Sequence, residues 1–414
     1  MFADGFKIKP MNNPTLETPA KHSRIFSIDI VRGMAIVLMA LDHTRDFFSS
    51  ALYDPTNLAI TYPAMFLTRW ITHFCAAAFV FLAGTSAFLY RTRGNRSKGD
   101  LAFFLVSRGI WLIILEFTLV QWGWAFNFSY IEVVCQVMWA LGWSMIALSV
   151  LIYLPRWLIL SISIAMIAGH NLLDKINIES WGNLSWLLNI LHVPGDIALP
   201  SGIHVQILYP LIPWIGVMAF GYAMGGVFLK EPQERKTELL KLGISLIFAF
   251  FVIRAINIYG DPYAWAVQKK AMYTALSFIN YTKYPPSFLF LLMTLGVTFI
   301  ALSVFTAREP GRIGRFFLTF GRVPLFFYTI HVPIIHFIAV IFAFFRYGHV
   351  AFLFQYSIRY LDVALSPKTP LGYGYGLAIS YLVWISVIAM LYPLCRWYAV
   401  FKKNHPQYRL LSYL

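Results

Sequence analysis

An all-α, polytopic integral membrane helix bundle is the fold class this sequence predicts, on three observations. Hydrophobic residues make up 59% of the 414 and charged residues only 12%, whereas a soluble domain carries about a quarter charged. Apolar runs recur along nearly the whole length. Basic residues gather in alternate connections between those runs, as they do in the cytoplasmic loops of membrane proteins. That distribution also accounts for the net charge of +15, so nucleic acid is not an expected partner.

A spanning helix needs roughly 20 largely apolar residues, and ten runs meet or approach that length: 28–49, 64–90, 102–122, 131–153, 157–171, 206–229, 240–259, 286–306, 318–345 and 374–399. The fifth is short. The eighth opens at KYPPS, Lys283 to Ser287, whose prolines suit a helix N-terminus. The ninth holds Pro324 and Pro333 and is expected to kink. The segment 350–363, VAFLFQYSIRYLDV, is amphipathic: an interfacial helix or an eleventh, broken span.

With ten spans the basic loops share one side: Lys7, Lys9, Lys21 and Arg24; Arg91, Arg93, Arg96 and Lys98; Arg156; Lys230, Arg235 and Lys236; Arg308, Arg312 and Arg315; Lys402, Lys403 and Arg409. Both termini are therefore expected in the cytoplasm of a multi-pass cell (inner) membrane protein. The expected organisation is a tail over 1–24, one transmembrane domain over 25–401 with external loops at about 172–205 and 260–285, and a tail over 402–414. The 172–205 loop is expected to form a small external cap. Residues 1–24 are polar, with no apolar core or small-residue cleavage site, and read as a tail and not a cleavable signal peptide. Cys75, Cys135 and Cys395 are odd in number and unpaired in spacing, which favours neither disulfides nor a zinc site. The ATP-binding, metalloprotease and hydrolase motifs are absent, and no metal is expected.

The first run carries unusual charge. On a helix, Asp29, Arg32, Ile36, Met39, His43 and Asp46 share one stripe, which over seventeen residues runs about 25 Å, close to the hydrocarbon thickness. Asp42 and Arg45 lie to the side and are spaced to pair as i,i+3 neighbours. Ionisable groups inside a membrane are costly and often mark function; the competing reading is helix-end charges snorkelling to the interface. A carboxylate near an imidazole orients it and raises its basicity, so His43 with Asp46 is the leading candidate for a general base. In the second run, TRWITHFCAAAFVFLAGTSAF, Arg69 and His73 share a face at a depth similar to His43, and Ala76, Ala77, Ala83, Gly84, Ser86 and Ala87 suit close helix packing. Lys283 and Tyr284 are candidates for a site mouth. Tyr328 and His331 form an i,i+3 pair in GRVPLFFYTIHVPIIH, with His336 pointing elsewhere. His170, His192 and His204 flank the external loop and are weaker candidates.

The stretches RIFSIDIVRGMAIVLMALDHTRDFF, THFCAAAFVFLAGTS, KYPPSFLFLLMTLG, GRVPLFFYTIHVPIIH and LYPLCRWYAVFKK resemble the heparan-alpha-glucosaminide N-acetyltransferase catalytic-domain family, its bacterial branch above all, from Arg24 to about Leu414. The resemblance implies a transmembrane acetyltransferase that takes an acetyl group from cytosolic acetyl-CoA to an amino sugar across the membrane. The sequence departs from the family where the lysosomal member's catalytic histidine lies: the matching segment, about Tyr53 to Asn57, holds none. His43 and His73 stand where that enzyme has an asparagine and an aspartate, and its large lumenal domain has no counterpart here. His43, Asp46 and His73 are thus the expected catalytic residues, with His73 an alternative nucleophile forming an acetyl-histidine. Asp42, Arg45, Arg69, Lys283, Tyr284 and His331 are expected to bind the acceptor. The phosphates of acyl-CoA call for cations near cytoplasmic helix ends, which selects Arg91, Arg93, Arg108 and Arg322, beside the Asp29 and Arg32 end of the stripe. Expected partners are acyl-CoA, an amino-sugar or glycan acceptor and the lipid bilayer, with a homo-oligomer left open. A polysaccharide O-acyltransferase and a small-solute transporter or exporter remain the alternatives.

Overall fold

The computed structural model describes residues 25–306, 309–354, 369–408 and 411. The N-terminal tail, Arg308, Arg409 and residues 355–363 of the expected amphipathic segment lie outside them. Helix α1 (Phe26–Phe48) runs through the middle, buried on nearly every side, and packs against helices from both halves of the chain. Fifteen α-helices are described. After α1 come α2 (Pro63–Thr72), α3 (Phe74–Arg93), α4 (Lys98–Leu115), α5 (Gln121–Ala125), α6 (Val137–Leu151), α7 (Arg156–Gly169), α8 (Ser185–Leu191) and α9 (Leu211–Ala223). The second half holds α10 (Pro232–Ile256), α11 (Ala271–Ile279), α12 (Phe288–Val304), α13 (Arg312–Gly321), α14 (Pro324–Tyr347) and α15 (Leu377–Asn404).

The structure is mostly helical, and among the described residues seven helical stretches are long and apolar enough to cross a membrane: Pro63–Arg93, Lys98–Ala125, Arg156–Lys175, Leu211–Leu229, Pro232–Ile256, Pro324–Tyr347 and Leu377–Asn404. Their outer faces look like lipid-facing surface. On α10 only Leu239, Gly243, Phe250 and Arg254 are buried, while Ile244, Phe248 and Ile256 are exposed. Helix α1 is not among the seven because it carries Asp29, Arg32, Asp42, Arg45 and Asp46; α6 and α12 are apolar but shorter.

The structure corrects the expected elements in four places. A three-stranded sheet, β1 (Glu132–Cys135), β2 (Gly195–Ala198) and β3 (His204–Ile207), occupies the starts of the expected spans 131–153 and 206–229; β3 is central, parallel to β1 and antiparallel to β2. Short apolar runs are compositionally the same in a strand and a buried helix, so periodicity could not separate them. The expected span 64–90 is interrupted at His73, which ends α2 and precedes α3. The span 318–345 is two helices, broken at Arg322 and Val323, with Pro324 in the first turn of α14; proline fits a first turn because its missing N–H has no helical partner there. Pro333 sits inside α14, which continues past it. A π-helical segment, Glu116–Val120, joins α4 to α5 inside the span expected to be regular over 102–122. In the 172–205 region, short 3₁₀ turns, α8 and β2 are found.

Helices α1 and α13 meet glycine to glycine. A Cβ on Gly33 would strike the carbonyl of Phe317, and one on Gly321 would strike the carbonyl of Asp29. Close backbone approach of this kind is what small residues permit between membrane helices. It fixes the N-terminal end of α1 against a helix from the far side of the sequence.

Candidate functional site

The C-terminal half of α1 carries a buried charge network. Arg45 donates from Nη2 to Asp42 Oδ1 at 3.0 Å and to Asp46 Oδ1 at 2.7 Å. Arg69, from α2, donates to the other oxygen of Asp42, and Lys283 Nζ lies 3.7 Å from it. Asp42 thus faces three cations. Two carboxylates and three cations, almost entirely out of water, leave one excess positive charge at the site. Buried charges persist only when paired in this way. Lys283 and Arg69 also approach the ring of Tyr284, at 5.1 and 6.0 Å from its centroid.

His43 has a different partner from the one its neighbour Asp46 suggested. Its Nδ1 lies 2.8 Å from Nε2 of His331 on α14, while the Asp46 carboxylate accepts from Arg45. The tautomers follow from the next contact. Nδ1 of His331 lies 2.7 Å from the Tyr328 carbonyl and 3.1 Å from that of Phe327, so this nitrogen must carry the proton. Its Nε2 is then an acceptor, and Nδ1 of His43 is the donor. His43 is left with its lone pair on Nε2. The ring is held edge-on against Trp124 at 5.0 Å and stacked on His331 at 5.0 Å.

Beside His43 is a chamber of about 40 Å³, whose wall includes Asp42, Asp46, Cys75, Gln136, Lys283 and Tyr284. Below it, toward the Asp29 end of α1, is an apolar passage of about 360 Å³ with Arg32 and Arg108 in its lining. Phe79, Val137 and Tyr328 line both spaces, so they adjoin. The small face of α3 divides its work. Ala83, Ser86 and Ala87 line the passage, while Gly84 lies against the Met218 carbonyl of α9. Arg32 Nη1 donates to Asp29 Oδ1 at 3.1 Å, and Nη2 to Ser86 Oγ at 2.9 Å. Arg108 lies over the Phe104 ring at 4.5 Å.

The other sequence candidates fall elsewhere. His73 is buried against Tyr281 and Phe290, ring centroids 5.6 and 5.9 Å away; Thr72, Cys75 and Ala76 face the chamber in its place. Arg91 and Arg93 stand in the last turn of α3 and do not line the passage; Arg322 lines a separate groove between α13 and α15. His336 stacks on Phe126 at 4.0 Å. In the cap, His192 bonds Asp174 at 2.7 Å, beside His170, and His204 bonds Asp196 at 2.6 Å. The Asp196 carboxylate raises the His204 imidazole above its ordinary pKa by hydrogen bonding and by charge.

Four residues were not singled out from sequence. Trp124 packs His43, and Gln136 and Tyr209 line the chamber. Glu116 accepts from the backbone N–H groups of Met138 and Trp139 at 2.9 and 3.0 Å, in the first turn of α6. Those amides have no intrahelical partner, and the cap fixes α6 where Gln136 and Val137 enter the site. A glutamate inside the apolar run LIILEFTLVQW was the available signal.

A family model described as "Heparan-alpha-glucosaminide N-acetyltransferase, catalytic" matches residues 24–259. No curated protein matches the chain. The matched segment contributes His43, Asp46 and Arg69, whereas Lys283, Tyr284, Tyr328 and His331 come from beyond it.

Proposed function

The chain belongs to the heparan-alpha-glucosaminide N-acetyltransferase catalytic family, and on that premise we propose that it moves an acetyl group from cytosolic acetyl-CoA to an amino-sugar or glycan acceptor on the external, periplasmic side of the inner membrane. The observation that carries this reading is the adjoining pair of spaces along α1, an apolar passage opening into a small polar chamber with His43 in its wall. From Arg32 to His43 is eleven residues, about 16 Å of helix, a length comparable to an extended pantetheine arm. In this reading the arm lies along Phe79, Ala83 and Leu141, Arg32 and Arg108 hold phosphate at the passage, and the acetyl carbonyl lies in the chamber.

His43 is the proposed general base. As the acceptor's nitrogen or oxygen attacks the thioester carbonyl, Nε2 takes its proton and the CoA thiolate leaves. His331 is a positioning residue: it accepts from Nδ1 of His43 and stabilises the proton there while the ring is cationic. Gln136 and Tyr328, both in the chamber wall, are assigned to donate to the carbonyl oxygen. Asp46, Lys283 and Tyr284 are assigned to the acceptor; Asp42, Arg45 and Arg69 hold that wall in shape. His73 has no part in this scheme, because the chamber wall does not include it.

The topology belongs to the same proposal. Adding α1, α6 and α12 to the seven apolar stretches makes ten spans, with both termini cytoplasmic, and residues 25–401 form one domain. In support, Arg32 bonds Ser86 on the half of α3 that runs into 94–97, Lys98 bonds the Tyr153 carbonyl of 152–155, Arg156 bonds the Ala223 carbonyl at the end of α9, and α13 meets α1 at Gly33. The test is direct. Purified protein in nanodiscs is supplied with acetyl-CoA, and CoA release and acetylated glucosamine-type acceptors are followed by mass spectrometry. Saturable acetyl-CoA binding with transfer supports the reading. Absence of acetyl-CoA binding removes it and leaves the transporter alternative.

A further inference from the structure

A third space lies outside the site, between α13 and α15, and has about 590 Å³. Its wall holds Arg312, Arg315, Arg322, Arg396 and Lys403, and no acidic residue. None of the five has an ion pair among the described residues. The floor is aromatic: Phe316 of α13 stacks on Tyr392 of α15, ring centroids 5.4 Å apart and nearly parallel. Val400, which lines the groove, is exposed, and so are Leu394 and Trp397 on other faces of α15 and Ile313 on α13.

We propose that this groove binds the phosphate headgroup of an anionic phospholipid from the surrounding bilayer. Arginine forks match phosphate oxygens and are less strongly hydrated than lysine. Basic pockets beside spanning helices recognise anionic headgroups on the cytoplasmic side, the side the proposed topology gives this groove. One wall of the groove is α15, a stretch apolar and long enough to cross a membrane, whose other faces expose Leu382, Ile385, Leu394 and Trp397; bilayer lipid therefore stands beside the groove, which favours a lipid headgroup over a soluble phosphate ligand. No residue lining the groove lines the passage, so the donor has its own entrance. The lipid would also bear on the site indirectly. Its helix, α13, meets α1 at Gly321 and Gly33, and the Gly321 carbonyl accepts from Arg32 Nη1 at 3.5 Å.

The experiment is native mass spectrometry of delipidated full-length protein with phosphatidylglycerol or phosphatidylcholine, for the wild type, Arg315→Gln/Arg396→Gln and the charge-retaining Arg315→Lys/Arg396→Lys. Each basic residue near an anionic lipid contributes roughly fivefold in affinity. The expected result is selective retention of phosphatidylglycerol, weakened about 25-fold in the glutamine double variant and largely kept in the lysine one, with unchanged melting in phosphatidylcholine. Equal retention of the two lipids, or no change in the glutamine variant, overturns the proposal. Displacement of phosphatidylglycerol by CoA, with CoA affinity lost in the glutamine variant, also overturns it and makes the groove the donor's nucleotide site. None of these readouts depends on acetyl transfer, so the lipid proposal and the acetyltransferase reading fail separately.

Discussion

The two ends of α1 carry the same kinds of residue in opposite circumstances. At the Asp29 end, one arginine shares its hydrogen bonds among Asp29, Ser86 and a backbone carbonyl, beside a roomy apolar passage. At the Asp46 end, Asp42, Arg45, Asp46, Arg69 and Lys283 lock one another around a chamber about a ninth of that volume. A place where a ligand enters and leaves needs space and groups that can change partners. A place where bonds are made needs groups already fixed, because fixed dipoles cost no reorganisation as the reaction proceeds. In the proposed function the contrast assigns donor entry to the Asp29 end and the reaction to the Asp46 end.

The sharpest way to break the contrast is His43→Ala. Losing a general base costs about 10²–10⁴-fold in rate. Acetyl transfer should fall by that much while acetyl-CoA affinity, measured calorimetrically, stays within about twofold. Near-normal turnover would remove His43 from the reaction, and a loss seen only in His73→Ala would move the role to α2.

The charge network comes next. Asp42→Asn leaves Arg69 and Lys283 buried without their carboxylate, and breaking a buried pair costs about 3–5 kcal/mol. Asp29→Asn leaves Arg32 its other two acceptors and should cost about 1 kcal/mol. Thermal melts in one detergent compare them, and equal losses would mean the two ends do not differ as described.

His331→Ala should lower kcat by about 10²-fold, the lower part of the range for a general base. KM for acetyl-CoA should hold, because His331 touches His43 and not the passage. A shift in the pH–rate profile should accompany the loss, since the group that fixes the His43 tautomer is gone; a purely structural role would leave that profile in place.

At the roomy end, Ala83→Trp fills the passage. Overpacking of this kind costs roughly 1–3 kcal/mol, expected here as acetyl-CoA binding weakened about tenfold or more, with free CoA fragments lacking the pantetheine arm unaffected. Unchanged affinity would show that the arm lies elsewhere.

The smallest effect is in the cap. The His204 imidazole is raised by Asp196, so the pair stabilises the β2–β3 hairpin fully below the ordinary imidazole pKa, and that contribution is lost as pH rises through the raised value. Once the intrinsic, base-catalysed rate is divided out, amide protection in β3 should be greater at about pH 6 than at about pH 9. The pair is exposed and the difference small; the reverse order would contradict the assignment.

Much of the bundle was legible because a membrane forces long apolar runs, and the α1 stripe was legible because helical spacing is local. The partner of His43 was not. Asp46 is three residues away and the natural guess, but His331 is 288 residues distant, and only packing α1 against α14 brings it within hydrogen-bond reach. The same limit explains His73: spacing put it at a similar depth to His43, but the break between α2 and α3 sends its ring toward Tyr281. The strands escaped notice because EVVC and HVQI read equally well as helix. Glu116 was visible as a charge in an apolar run, yet its task of capping α6 depends on a π-helical segment that sequence does not announce.

The division of the chamber between two stretches of chain has a consequence for inheritance. The proposed base sits before residue 259, and the proposed acceptor wall, Lys283 and Tyr284, sits after it. Recombination between relatives at a junction near 260–270 would therefore exchange Lys283 and Tyr284, together with Tyr328 and His331, while keeping His43 and Asp46. Chimeras joined there would separate the two contributions, provided the face of α10 that packs on α12 across the junction is matched to the incoming parent.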